Sequence, residues 1–452
     1  MKPRPPLPDG PYLVVGLARS GQAAARMLSA RGGEVAGCDS ASPEGAARLA
    51  EAGLEIHLDS DGVELLGRAR CVVKSPGVPR EAPAIARARE LGVAVVGELE
   101  LAWRLLPNRF VAVTGTNGKT TVTELLGHLW RTAAEPVAVA GNVGAPLASL
   151  VGEVPSEATV VCECSSFQLE DSEHFAPECA VLLNATPDHL DRHGDFDRYL
   201  RAKLRVFANQ GNDDVAVYNA SEAALRGLDL GGCARRVAYC RGSSPDCELA
   251  LSDGVIFAGE KPLLETSELR LIGPHNADNA MAAAAAALAM GLERDAVSEG
   301  LRSFAGVRHR LERVAERGGV LYVNDSKATN VAAAAAGLRS FDGGVRAILG
   351  GSLKGGSFRG LVDPVSERCV ACYLIGEAAE SLEQDLEPAR DAGVELRRCE
   401  GLAEGVRAAA SDARAGEVVL LAPACASFDA YRDFEQRGEH FRSLVEGLPA
   451  QG

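Results

Sequence analysis

The chain has no surplus of positive charge, no long apolar run and no clustered cysteine set, and each absence removes a class of function. Against 47 Lys and Arg stand 62 Asp and Glu, a net charge of -15. A nucleic-acid protein is excluded on that ground, because neutralising backbone phosphates needs a basic surface. A single anionic nucleotide can still be held by a few local groups and bound metal. The opening residues, Met1 to Gly10, are proline-rich and contain no apolar signal core. The longest apolar stretch, around Ala280 to Met290, is alanine-dominated and too short to span a bilayer. A soluble cytoplasmic enzyme with no membrane partner is therefore expected. The 12 cysteines are scattered. Cys369 and Cys372 form a Cys-x-x-Cys inside a strand-like run, with no second pair or nearby histidine to complete a zinc set. Buried, reduced thiols are expected. Repeats and low-complexity segments are absent apart from alanine runs, which are helix filler.

What is present is a chain of 452 residues, a length that suggests about three domains. Short β-rich apolar runs alternate with alanine-rich helical stretches throughout, the pattern of α/β folds with mostly parallel sheets. Three blocks separate: 1–106, 107–306 and 307–452. The first opens with a strand at Tyr12 to Val15, the turn Gly16 to Gly21, a helix through Ala30 and a second strand ending at Asp39. That is the start of a dinucleotide-type βαβ unit. Its turn lacks the middle glycine of the nicotinamide fingerprint, Ala18 standing in its place, so a bulkier side chain faces the pyrophosphate position. A nicotinamide oxidoreductase is the rival that this block alone would suggest.

The second block opens with Phe110-Val-Ala-Val-Thr-Gly-Thr-Asn-Gly-Lys-Thr-Thr121. A strand, a glycine-rich turn and a helix N-terminus together make an anion cradle, in which amide groups and the helix dipole converge. Lys119 can reach a β/γ-phosphate and the Thr120 hydroxyl can ligate Mg²⁺. The general phosphate-loop pattern needs a glycine where this chain has Val113. The match is thus to the Gly-Lys-Thr half with the right flanks.

Downstream, Thr159 to Glu163 reads as a strand ending in an acid, the position that helps hold Mg²⁺ beside a phosphate loop. His189 lies just past the next buried strand, on the edge where open α/β sheets bind ligands; His193 reads as structural or surface. Asn276 and Asn279 fall on one face at the start of a helix, where paired amides can read a purine edge or cap the helix. In the third block, polar or glycine-rich segments follow three strands: Asn324 to Asn330, Gly350 to Gly356, and Ala422 to Gly438. Their common edge is the expected acceptor site, with Ser427 expected to cap a helix.

Read together, Thr114 to Thr121, Gly141-Asn-Val-Gly144, Glu163 to Gln168, Pro187 to Asp191, His275 to Asn279, Asn324 to Asn330 and Pro423 to Ser427 resemble the Mur ligases, over essentially the whole chain. That resemblance implies an α/β fold of three domains: N-terminal Rossmann-like, central phosphate-loop ATPase-like with a mostly parallel sheet, and C-terminal Rossmann-like. It implies an ATP-dependent ligase that uses two Mg²⁺ ions to join D-glutamate to UDP-N-acetylmuramoyl-L-alanine, acting as a monomer. By the same resemblance Gly115, Thr116, Asn117, Gly118, Lys119, Thr120, Thr121, Asn276, Asn279, Arg310 and Asp325 would bind ATP. Lys119, Glu163, His189 and Lys203 would be catalytic, and Thr120, Glu163, His189 and Lys203 would hold the metals, Lys203 as a carbamate. Arg19, Ser20, Asp39, Ser40, Ser75, Gly77 and Asn142 would hold the UDP substrate. Lys327, Thr329, Lys354, Ser427 and Phe434 would grip D-glutamate. A folylpolyglutamate synthase, a relative within the same chemistry, gives no reason for the uridine-type first block, and a phosphate-loop switch gives none for the acceptor motifs.

Overall fold

The structure is a computed structural model that describes residues 2–242, 244–353 and 356–449. Three sheets organise it. In the first, five parallel strands run in the order Glu55–His57, Val35–Cys38, Tyr12–Val15, Cys71–Lys74, Ala94–Gly97. Strand order reverses beside Tyr12–Val15, so the turn Gly16–Gly21 opens at the switch point where such sheets bind ligands.

The second sheet has nine strands. Its parallel part runs Val137–Gly141, Thr159–Glu163, Phe110–Thr114, Cys179–Leu182, Val215–Asn219, Arg235–Arg241, Leu249–Ser252. Val255–Ala258 and Lys261–Glu265 then extend it as antiparallel strands. Phe110–Thr114 and Thr159–Glu163 are buried along their whole length, as expected of central parallel strands covered on both faces.

Six strands form the third sheet, in the order Glu312–Arg317, Val320–Asn324, Val418–Leu421, Val345–Gly350, Cys369–Ile375, Glu395–Arg398. Only Glu312–Arg317 is antiparallel to its neighbour. Helices Val331–Leu338, Val362–Arg368 and Ala379–Leu386 pack on one face, and Leu402–Asp412 and Phe434–Glu446 on the other.

The chain divides into two compact units, Met1–Glu268 with Ala277–Arg302 and Leu269–Asn276 with Ser303–Gly452. Within the first unit a single apolar core runs from one sheet to the next. Val14, Leu28, Leu99 and Trp103 join Phe110, Val160 and Phe175 in it, and the Trp103 and Phe175 rings meet edge-on at 5.7 Å. Among the described residues no helix is long and apolar enough to cross a membrane.

Two expectations are corrected. Ser427 does not cap a helix: three residues of turn follow it, and the helix Phe434–Glu446 is capped instead by Asp433, whose carboxylate accepts the Gln436 N–H at 2.7 Å. The thiols are not uniformly reduced either. Cys240 and Cys247 are joined in a disulfide, because the strand Arg235–Arg241 and the segment returning from it bring their Cα atoms to 6.1 Å, inside the range a disulfide spans. Cys369 and Cys372 are buried in their strand and free, as expected.

Candidate active site

The phosphate loop is braced by side chains from within and beyond it. Strand Phe110–Thr114 delivers Gly115, and Gly118 (φ 83°) is the N-cap of helix Lys119–Thr132. A side chain at Gly118 would collide with the Asn279 amide carbonyl, so position 118 has both a conformational and a steric need for glycine. Asn184, just past strand Cys179–Leu182, holds the loop. Its side-chain oxygen accepts the Thr116 and Asn117 amides at 3.0 and 2.9 Å, and its NH₂ donates to the Asn117 carbonyl at 3.1 Å. No local sequence pattern links Asn184 to a loop nearly seventy residues upstream. The Lys119 ammonium folds back onto the Gly115 and Thr116 carbonyls at 3.0 and 2.8 Å.

Register brings the next group in. Val113 and Gly141 both pair with Glu163, so three adjacent strands end at one place. There the buried Glu163 carboxylate accepts the Thr120 hydroxyl at 2.8 Å and the Asn142 amide at 3.1 Å. No cluster of three or more His, Cys, Asp or Glu exists among the described residues. A hydrated Mg²⁺ fits this donor set nonetheless, since it is commonly held by one or two carboxylates, a hydroxyl, waters and phosphate oxygens.

Lys203 projects from helix Phe196–Leu204 into the same loop. It is buried, donates to the Gly115 carbonyl at 2.7 Å and lies 4.4 Å from the Tyr199 ring centroid. Burial, reinforced by the Lys119 charge, lowers its pKa to about 7. The amine is thus substantially neutral at physiological pH, the state that reacts with CO₂. As an ammonium it would repel a cation; as a carbamate it would hold one. The Tyr199 hydroxyl bonds Thr116 Oγ1 at 2.9 Å, and its own pKa is pushed up to about 12 by burial.

His189 has φ 51° and starts the short helix Leu190–His193. Its ring is half exposed, 3.6 Å from the Asp188 carboxylate and 5.0 Å from the Phe167 centroid. His193 is structural: buried, stacked on Phe167 at 5.3 Å and hydrogen-bonded to Ser166 at 3.0 Å, with its pKa lowered by burial.

In the first sheet, Asp39 and Ser75 hold the switch-point turn. Asp39 accepts the Leu17 and Ala41 amides at 2.6 and 2.9 Å, and the Ser75 hydroxyl donates to the Gly16 carbonyl at 2.6 Å. Ser20 lies in the first turn of helix Arg19–Ala30, and Ser40 and Gly77 are exposed on the rim. The Arg19 guanidinium donates to the Gly144 carbonyl at 2.5 Å, beside Asn142.

The second unit gathers the strand exits of the third sheet. Asp325, at the end of Val320–Asn324, is buried and accepts the Leu311 amide at 3.2 Å. Burial raises its pKa to about 7, opposed by that bond and by Arg310. Lys327 lies 5.4 Å from the Phe434 ring, Thr329 is two residues on, and Ser427 is buried at the exit of Val418–Leu421. Lys354 lies outside the described residues. Asn276 is buried and donates to the Ile272 carbonyl at 2.6 Å; Asn279 is three residues along the same helix, His275–Ala289.

Arg437 was not anticipated as a site residue. Fully buried in helix Phe434–Glu446, it donates to Ser326 Oγ and O (3.0 and 2.9 Å), Cys425 O and Ala426 O (both 3.1 Å) and Gly350 O (3.5 Å). One guanidinium therefore pins the exits of three strands. Burial lowers its pKa to about 10.

Comparison with known proteins finds one family along the chain. Three family descriptions match: "Mur ligase MurD-like, N-terminal domain" over 11–97, "Mur ligase middle domain" over 113–287, and "Mur ligase, glutamate ligase domain" over 309–425. The UDP-N-acetylmuramoylalanine--D-glutamate ligase of Acidobacterium capsulatum is 41% identical over 443 residues, covering 96% of this chain and 95% of its own length. The protein of that name from Salinibacter ruber is 42% identical over 451 residues, covering 96% and 97%. Among solved structures, UDP-N-acetylmuramate-alanine ligase MurC from Thermotoga maritima superposes with a TM-score of 0.59 at 19% identity, covering 97% of this chain and 99% of that one, a likeness of fold. With its phosphate loop, its Glu163 cluster and its three matching segments in order, the chain belongs to the Mur ligase family.

Proposed function

We propose that the chain joins D-glutamate to UDP-N-acetylmuramoyl-L-alanine at the expense of ATP, as a soluble cytoplasmic monomer in the synthesis of peptidoglycan precursors. Glu163 carries the reading. Its carboxylate is shared between Thr120 of the phosphate loop and Asn142 of the neighbouring loop, which is where a γ-phosphate and an acyl carboxylate must meet.

A carboxylate is a poor acyl donor. One of its oxygens attacks the γ-phosphorus, the bond to ADP breaks, and an acyl phosphate results. The D-glutamate amine then adds to the acyl carbon, the tetrahedral intermediate expels phosphate, and the amine's proton passes to solvent or phosphate. No enzyme nucleophile is needed; positioning and charge neutralisation do the catalysis. Lys119 turns from its loop carbonyls to the transferring phosphoryl group. Thr120 and Glu163 hold one Mg²⁺, and His189 with carbamylated Lys203 holds a second. The ions, when bound, offset charge on the phosphates and acyl oxygens. Asn276, Asn279, Arg310 and Asp325 bind the nucleotide, together with loop residues 115–121. Arg19, Ser20, Asp39, Ser40, Ser75, Gly77 and Asn142 bind the UDP donor, and Lys327, Thr329, Lys354, Ser427 and Phe434 bind D-glutamate. The segments 1–106, 107–306 and 307–452 then serve donor, ATP and acceptor.

The test is coupled ADP release with UDP-N-acetylmuramoyl-L-alanine, comparing D-glutamate with L-glutamate, glycine and lysine. ADP release should require donor and D-glutamate together; equal rates with all four amino acids overturn the assignment.

A further inference from the structure

We propose that Arg192 is a positioning residue that ties the donor rim at Gly77–Val78 to the wall of the phosphate loop, so that donor and nucleotide strengthen each other's binding. The inference rests on the function proposed above and concerns a side chain given no role in it. Arg192 reaches across to the first sheet's rim and donates to the Val78 carbonyl at 2.9 Å and the Gly77 carbonyl at 3.4 Å. These two residues continue the loop of Ser75, whose hydroxyl holds the Gly16 turn. The same guanidinium lies 4.8 Å from the Phe167 ring centroid.

From Phe167 the contacts run without a gap to the ATP side. Phe167 is stacked on His193, with planes 7° apart, and meets His189 at 5.0 Å. His193 packs edge-on against Tyr199 at 5.4 Å. Tyr199 bonds Thr116 of the phosphate loop and lies beneath the Lys203 amine. Packed aromatic rings have few alternative arrangements, so a shift of the rim carbonyls has to be taken up along this row.

The electrostatics argue that the contact is specific. Arg192 has no carboxylate within salt-bridge distance among the described residues, and its charge disfavours the protonated forms of Lys74 and His193. A guanidinium spent on two main-chain carbonyls rather than on a carboxylate is held for its shape. A planar fork can take two carbonyls while its flat face lies on a ring, and a lysine ammonium lacks that flat shape.

The experiment measures binding of a non-hydrolysable ATP analogue with Mg²⁺ by calorimetry, with and without saturating UDP-N-acetylmuramoyl-L-alanine. In the unmodified chain the donor should tighten the analogue by about fivefold or more. In Arg192→Ala that factor should fall to near one while affinity for the analogue alone stays within about twofold. Arg192→Lys should recover only part of it, and Phe167→Leu, which leaves the rim hydrogen bonds available, should lose it likewise. Both variants stand in if the alanine variant does not fold. No coupling in the unmodified chain, or full coupling in Arg192→Ala or Phe167→Leu, overturns the inference. Failure of the proposed function appears elsewhere, as absence of D-glutamate-dependent ADP release in the unmodified chain.

Discussion

At the scale of single residues the site is defined by what Glu163 and Lys203 are made to do by burial. Glu163 can stay in place as an amide, because Gln offers an oxygen to the Thr120 hydroxyl, as the carboxylate does at 2.8 Å, and its NH₂ can donate to the Asn142 amide once that amide turns its oxygen inward. Glu163→Gln should therefore keep the fold, with a thermal midpoint close to that of the unmodified chain. Its rate of D-glutamate-dependent ADP release should fall by about 10²–10³-fold, the usual loss when one preorganised electrostatic group is removed. A retained rate would show that the carboxylate charge is not used. Lys119, Thr120 and Glu163 could be singled out in the sequence because each ends a strand or starts a helix, where a short motif records the local geometry. Residues that serve by reaching were not. Asn184, Arg192 and Arg437 bond main-chain groups 67, 114 and 111 positions away, and a carbonyl acceptor leaves no mark on the sequence.

At the scale of elements, central parallel strands such as Phe110–Thr114 and Thr159–Glu163 were readable because they are short apolar runs between helices, whereas the polar parallel strands Arg235–Arg241 and Glu395–Arg398 were not. The hairpin strands Val255–Ala258 and Lys261–Glu265 were not either, since six of their nine residues are partly or fully exposed and their place depends on an edge formed far away. Helix Glu98–Leu105 shows how one element disciplines another. Glu98, its first residue, is buried and accepts the Ala148 amide at 2.9 Å and the Leu147 amide, at the start of the turn Leu147–Leu150 that follows Asn142. Burial raises its pKa from 4.5 to about 7, against the pull of those two bonds. The folded chain thus keeps a proton that the unfolded chain releases between these values. This contribution to stability is intact below pH 4.5 and is lost as pH rises towards 7. A gap of that size corresponds to on the order of 3 kcal/mol. Glu98→Gln keeps an acceptor for the two amides and cannot ionise. Relative to the unmodified chain, the variant should gain stability between pH 5 and 8 in urea denaturation; parallel pH profiles would show that Glu98 stays ionised in the fold.

At the scale of the molecule, the first two sheets form one unit although each has the topology of a separate domain. Apolar packing around Trp103 and Phe175 explains part of this. Charge explains the rest. Lys74, at the end of the strand Cys71–Lys74, meets Asp171, the C-cap of helix Ser166–Glu170, at 2.5 Å, with both side chains almost wholly buried. Gly97 of the adjoining strand packs on Asp171, whose Cβ a side chain at 97 would press at 3.1 Å. Two buried charges of this kind add little net stability together, because desolvation offsets their attraction, yet removing one leaves the other stranded. Lys74→Met should thus cost about 3–5 kcal/mol, moderated by Arg89, which lies 3.6 Å from the second Asp171 oxygen. Asp171→Leu leaves buried Lys74 with only the weaker field of Glu170 and should cost about as much. The double variant, Lys74→Met with Asp171→Leu, should lie far closer to the unmodified chain than the sum of the two losses. Urea denaturation followed through Trp103, buried in the core that joins the sheets, reads all three. If the single losses simply add, the pair is not a coupled pin, and the union of the two sheets rests on the apolar core alone.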